Sequence, residues 1–358
     1  MKILYAIQGT GNGHLSRARD IIPALQKKGD VDILVSGIQA DVELPYEVKY
    51  RFNGFSFIFG KKGGVDIAAT YRKSNLKKLL KEINNLPVEN YDIVINDFEP
   101  VSAWACRNKH KPCIGLSHQA AVINKNAPKP KKKDAIGNAV LRYYAPVSVN
   151  YGFHFKNYDR NIFTPVIRNE IREIFSSNKK HYTVYLPAYD DKRIIKILSV
   201  FDKIKWEVFS KHNRKKFTKD NITIQPINNE AFIKSMASAA GVLCGAGFET
   251  PAEVMYMEKK LMVIPMKGQY EQQCNAAALK EMGVPVIKSL KKKYLAKIDA
   301  WLNYDDIISV NYENNTEEII EMIFKNYPAL LRETKAVIGE TITTAKKLKT
   351  FSLTKIFS

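Results

Sequence analysis

Apolar and polar positions along this chain fall into blocks that alternate between a period of two and a helical period. A short apolar run with β character at 2–7 leads into a glycine-rich turn, then an amphipathic segment from Leu15 to about Lys28, then a strand at 31–35. Further strands are predicted at 92–96, 112–117 and 147–153, with a helix at 75–84. A second cycle opens with a strand at 182–187 and a helix at 191–201. It continues through strands at 206–210, 222–225, 241–244, 261–265 and 284–287. Strands that alternate with helices predict parallel sheets, here two doubly wound α/β halves. The polar stretch 172–180 reads as a connection between them. The division expected is a domain at 1–167, a connection at 168–181, a second domain at 182–330 and a helical tail at 331–358. The helical pattern begins near Thr316 and is expected to pack across the second domain, with the first as a further surface.

Composition supports folded cores, since 45% of the 358 residues are hydrophobic and 26% charged. The charge balance adds a question: 56 Lys and Arg against 36 Asp and Glu leave +20, which implies an anionic partner. Nucleic acid is not expected, because no zinc spacing, aromatic strand motif or isolated basic helix appears. The first apolar run stops at Gln8-Gly9, far shorter than a signal or spanning segment, so a cytoplasmic protein is expected. Cys106, Cys113, Cys244 and Cys274 show no C-x-x-C spacing, as reduced cysteines would.

Three motifs point to chemistry. Gly9-Thr10-Gly11-Asn12-Gly13-His14 lies between the first strand and the first helix, where backbone N–H groups and a helix N-terminus suit an anion. It is not a dinucleotide fingerprint, since His14 stands at the third glycine position, and no Lys follows as in a phosphate-binding P-loop. A tight turn without a ligand is the plain alternative; His14 at its mouth reads as a base. The second motif, Cys244 to Glu253, repeats the arrangement: Gly245 and Gly247 form a second anion cradle, while Thr250 and Glu253 also fit a capping box. In the third, Glu271, Gln272 and Asn275 open a helix after the 261–265 strand. They offer paired donors and acceptors suited to sugar hydroxyls, or else form a solvated helix face. Asp97 and Glu99 end the 92–96 strand and rival His14 as base, or orient it, or bind an acceptor hydroxyl, or merely close the strand. His118 ends the 112–117 strand at the same sheet edge and is placed on the acceptor side. Asp30-Val31-Asp32 matches a metal-binding D-x-D pattern but precedes its strand, at the wrong edge.

Together, GTGNGH, GAGFETPAE and P-x-K-G-Q-x-E-Q-x-x-N-A resemble the motifs of the GT-B glycosyltransferases over roughly residues 1–290. The nearest group in that family includes the lipid-linked N-acetylglucosaminyltransferase of peptidoglycan synthesis. The resemblance implies two Rossmann-like domains facing across a crevice, the first binding acceptor through Gly9, Thr10, Gly11, Asn12, Gly13 and His118. The second would bind a nucleotide-diphosphate sugar, with Glu253 on the ribose and Gly245, Ala246, Gly247 and Phe248 at the diphosphate. Glu271, Gln272 and Asn275 would read the donor sugar. Arg168, in the linker-like run Pro165-Val166-Ile167-Arg168, would approach the phosphates. Asn12, and Leu15-Ser16-Arg17 after the histidine, depart from the peptidoglycan enzyme's pattern and put the same acceptor in doubt. The function expected is inverting transfer from a nucleotide sugar, UDP favoured, to a hydroxyl of a lipid-linked, membrane-associated or glycan acceptor. No metal or cofactor is expected beyond that co-substrate. A sugar-nucleotide epimerase of the same shape and a non-catalytic sugar-nucleotide-binding protein are the alternatives. Two segments suggest docking on an anionic membrane at the inner face: the basic loop Lys125–Lys133 with the apolar 135–145 run, and the aromatic 52–59 run with Lys61 and Lys62. A solvated loop and a core strand explain them equally.

Overall fold

The computed structural model describes residues 1–37, 44–54, 59–60, 64–65, 76–132 and 134–332. The first half supplies β1 (Lys2–Gln8), β2 (Asp30–Ser36), β3 (Tyr50–Phe52), a small ribbon of β4 (Phe59–Gly60) and β5 (Gly64–Val65), and β6 (Ile93–Asp97). It is completed by β7 (Ile114–Ser117), β8 (Val149–Phe153) and β9 (Ile162–Phe163). The second half supplies β10 (His181–Tyr185), β11 (Lys205–Ser210), β12 (Phe217–Lys219), β13 (Ile222–Pro226), β14 (Gly241–Gly245) and β15 (Lys260–Ile264). After Lys2 every residue of β1 is buried, and β6 is buried throughout, as strands covered by helices on both faces must be.

Seven strands form one sheet in the order β3-β2-β1-β6-β7-β8-β9, all parallel. Six form the other in the order β12-β13-β11-β10-β14-β15, parallel except for the β12–β13 edge hairpin. The two-sheet architecture expected from the resemblance is present. One apolar cluster runs continuously through both halves, from Ile3, Ile7 and Phe155 to Phe248, Val254 and Val263.

Several local expectations change. The 284–287 strand reduces to a single bridge, Val263 with Val286, because Pro285 has no N–H to extend a ladder. His118 starts the short helix His118–Val122, whose first turn Ser117 caps, rather than ending a strand. The capping box is not formed: the helix starts at Glu249 without a side-chain cap, and Glu253 is engaged elsewhere. A helix over 316–332 leans on the first domain, the further surface expected of it. Lys27 pairs with Glu317, Lys28 with Glu321, and the Tyr327 hydroxyl donates to the Asp92 carbonyl at 2.6 Å. In the basic loop, Lys129 turns its Nζ back onto the carbonyls of Val122, Asn124 and Ala127, while Ile136 and Tyr143 on the following helix are 69% and 66% exposed. The aromatic positions 55–58 with Lys61 and Lys62, together with Lys133 and the tail beyond 332, lie outside the described residues.

Candidate functional site

A doubly wound sheet opens a crevice where its strand order reverses. In the first sheet that point lies between β1 and β6, where Ile7 stands opposite Asp97. The chain leaves β1 through Gly9 and Thr10 and enters the helix Asn12–Gln26 through Gly11, whose φ of 97° lies in the left-handed region that glycine tolerates. His14 therefore sits in the first helical turn, facing the end of β6. Its Nδ1 lies 2.8 Å from Asp97 Oδ1; the imidazole is 13% exposed and the carboxylate fully buried. A carboxylate only accepts, so Nδ1 carries the proton and Nε2 is the basic nitrogen, to which Gln119 Nε2 donates at 3.3 Å. Burial pulls the imidazole pKa down, but the charge and hydrogen bond of Asp97 outweigh it and hold His14 above its ordinary 6.5. Burial likewise works to raise Asp97, and Arg17 and His14 reverse this and lower it.

Glu99, expected as a rival base, is instead a helix cap. Its oxygens accept from the backbone N–H groups of Val101 and Ser102 at 2.7 and 2.6 Å and from the Ser36 hydroxyl at 2.6 Å. Phe98 between the two acids has a φ of 56°, rare for a bulky residue, and this kink turns Asp97 and Glu99 to different tasks.

The second sheet reverses between β10 and β14, and there the glycine turn leads into the helix Glu249–Tyr256. A Cβ on Gly247 would meet nothing within 4 Å, so this turn faces open space. A cleft of about 560 Å³ joins Gly13, Ser16 and Arg168 to Gly247, Glu253 and Gln272, with Tyr185, Phe209 and Phe232 as an aromatic wall. Its size suits a small-molecule ligand. A larger cleft of about 630 Å³, beside the start of β15 and Trp301, holds no histidine or carboxamide and lies away from this chemistry.

The expected donor residues divide. Glu253 is bound by Arg168 through Nε and Nη2 at 2.5 and 2.9 Å, so these two act as one buried pair at the cleft wall. Gln272 Oε1 accepts from the Met266 N–H at 2.8 Å, and Glu271 accepts from Gln119 at 2.9 Å across the domain gap. Asn275 does not face the crevice: it is buried, with Oδ1 2.7 Å from His118 Nε2 and Nδ2 donating to the Ala246 carbonyl. His118 is correspondingly removed from the acceptor side, stacked on Phe248 with ring centroids 3.9 Å apart. Aromatic and amide surface is consumed here in holding the two domains together.

Arg17, Gln119 and Glu249 join the site without having been singled out from the sequence. Arg17 lies one turn beyond His14, a spacing that places both on one helix face and was available as a signal. Gln119 is buried, and its Oε1 has no hydrogen-bond partner. Such an acceptor is costly unless a ligand supplies a donor.

The family model for glycosyl transferase family 1 matches residues 1–303. No curated protein matches the sequence. Among solved structures the chain is similar to the MurG protein of Acinetobacter baumannii, at 15% identity and a TM-score of 0.55, covering 90% of this chain and 99% of that one. It is also similar to a UDP co-structure of MnaA from S. aureus, at 11% identity and 0.57, covering 92% and 97%. UGT89C1 of Arabidopsis thaliana complexed with UDP gives 13% and 0.57, covering 93% and 99%. At these identities the likeness establishes the fold, and the family model covers both sheets and all three motifs. The chain thus belongs to glycosyl transferase family 1, as a sugar-transferring enzyme of GT-B architecture.

Proposed function

We propose that this enzyme moves a sugar from a UDP-sugar to a hydroxyl acceptor, with inversion, and that His14 is the general base. The carrying observation is the His14–Asp97 pair, which leaves Nε2 basic at the point where the first sheet opens. An acceptor hydroxyl takes the place of the Gln119 amide at Nε2, and one substrate hydroxyl donates to the orphan Gln119 Oε1. As the hydroxyl oxygen bonds to the anomeric carbon, its proton passes to Nε2, and Asp97 stabilises the imidazolium. The bond from the anomeric carbon to the diphosphate oxygen breaks on the opposite face, which inverts the centre. The N-terminus of the Glu249–Tyr256 helix, its open glycine turn and Arg168 at the cleft wall receive the departing charge. The transfer is proposed to need no metal.

The aromatic wall suits a nucleobase, the Arg168–Glu253 pair suits ribose hydroxyls and phosphate, and two of the similar structures are complexes with UDP. In a thermal-shift comparison of UDP-, GDP- and dTDP-sugars, the UDP series is expected to stabilise most. At one hundred times Kd the gain is about 2.7 kcal/mol. Glu253→Ala is expected to remove most of that shift; no stabilisation by any of the three, or an unchanged shift in the variant, would overturn the donor assignment.

The acceptor is proposed to be lipid-linked and reached from the inner face of the membrane. Exposed Ile136 and Tyr143 beside Lys131 and Lys132 support this, since a basic residue at an anionic surface contributes about 1 kcal/mol. Flotation with phosphatidylglycerol vesicles is expected, weakened by Ile136→Asp; equal flotation of both proteins, or none, would redirect the search to soluble acceptors.

A further inference from the structure

The group most tightly held near His14 is Arg17, 1% exposed, on the same helix face. Its Nη2 donates to both oxygens of Asp97, at 2.8 and 2.7 Å, and its Nη1 donates to Oε1 of Glu249 in the other domain. Gly13 is what lets Glu249 come so near, for a Cβ there would collide with the Glu249 carboxylate. Charges therefore alternate in a row, His14, Asp97, Arg17, Glu249, and the row crosses from the domain that carries the base to the domain that carries the glycine turn.

A guanidinium is charged at every working pH, and this one is buried, so it must be neutralised. With Glu249 in place, its charge is shared by two carboxylates, and Asp97 can still serve the imidazole. Without Glu249, Asp97 alone faces both cations, and its support of His14 is divided. We propose that Arg17 is a positioning residue that holds Asp97 against His14, and that Glu249 completes this arrangement only when the two domains are closed. The general base is then assembled by closure rather than preformed in the first domain. This rests on the assignment of His14 as base, but its test needs no transfer assay.

Other groups also surround the His14 ring. Gln119 faces Nε2 with Glu271 behind it, and the Tyr5 hydroxyl, which burial keeps protonated, stands near Asp97 and Arg17. Among the described residues, Arg17 and Glu249 bring opposite charges to the Asp97 side of the ring, and they act on the imidazole with opposite sign: Arg17 lowers its pKa and Glu249 raises it.

The experiment is an NMR titration of the His14 imidazole nitrogens in the full chain, assigned by loss of the signal in His14→Asn. Scattering profiles of each variant report whether the domains stay closed. Glu249→Gln is expected to lower the His14 midpoint by roughly half a pH unit or more and to weaken the preference for the Nδ1–H form. Arg17→Met is expected to raise the midpoint, and Arg17→Lys, which keeps the charge but not the fork, to disturb the tautomer more than the midpoint. Should Arg17→Met fail to fold, Glu249→Gln and Glu249→Ala still decide, because that side chain is 22% exposed and its loss leaves the first domain's core intact. An unchanged midpoint in both Glu249 variants would overturn the proposal, as would a shift of the same sign in the Arg17 and Glu249 variants. If His14 is not the base, the titration shifts still appear while His14→Asn retains transfer, so the two readings fail separately.

Discussion

Replacing His14 by Ala is expected to slow sugar transfer by about 10²- to 10⁴-fold, the usual worth of a positioned general base, while UDP binding stays within a few-fold of the parent. The donor cleft contains Gly13 and Ser16 but not the His14 ring, so binding and chemistry separate. The rate of the parent enzyme should rise with pH as the imidazole loses its proton. Because Asp97 holds His14 above its ordinary 6.5, the midpoint of that rise falls above 6.5. Glu99→Gln gives the contrast: a weakened cap costs about 1 kcal/mol of stability, and the rate per folded molecule holds. A His14→Ala enzyme that kept more than about a tenth of its rate, or an activity profile falling with pH through this range, would remove His14 from the mechanism.

Asp97→Ala is expected to do the largest damage to stability, about 3–5 kcal/mol, because it leaves buried Arg17 with Glu249 as its remaining carboxylate partner. Urea unfolding of the two proteins at pH 7 measures it; a difference under about 1 kcal/mol would mean the charge row is not a structural unit. The pH dependence of that difference carries two signs. The Asp97 pKa is lowered on folding, so its contribution is full above the unfolded carboxylate value and fades as pH falls through the folded one. The His14 pKa is raised, so its contribution is full below 6.5 and fades as pH rises through the folded value. The Asp97→Ala protein loses both slopes.

The parts of this molecule that could be read from its sequence are those set by neighbours along the chain. Strand–glycine–helix junctions at Gly9–His14 and Gly245–Glu249 identified both switch points, because a parallel sheet places such turns at its carboxyl edge. Glu99 is legible too: an acid directly before Pro100 is the signature of a cap followed by proline in the first turn. Other features depend on residues far apart in the chain. Nothing near Asn275 or His118 tells that they face each other across 157 positions and join the two domains. Arg17 reads as an ordinary charge on an amphipathic helix, because its partners lie 80 and 232 residues away.

The 316–332 helix, pinned to the first domain through Glu317, Glu321 and Tyr327, also constrains how the crevice can open. The chain crosses between the domains once outward near Arg168 and once back before Thr316, so the domains are joined at two points. A body hung on two pins swings about the line between them and resists twisting. Any motion that separates Glu249 from Arg17 must therefore turn about the line between these two points, which leaves it a single arc.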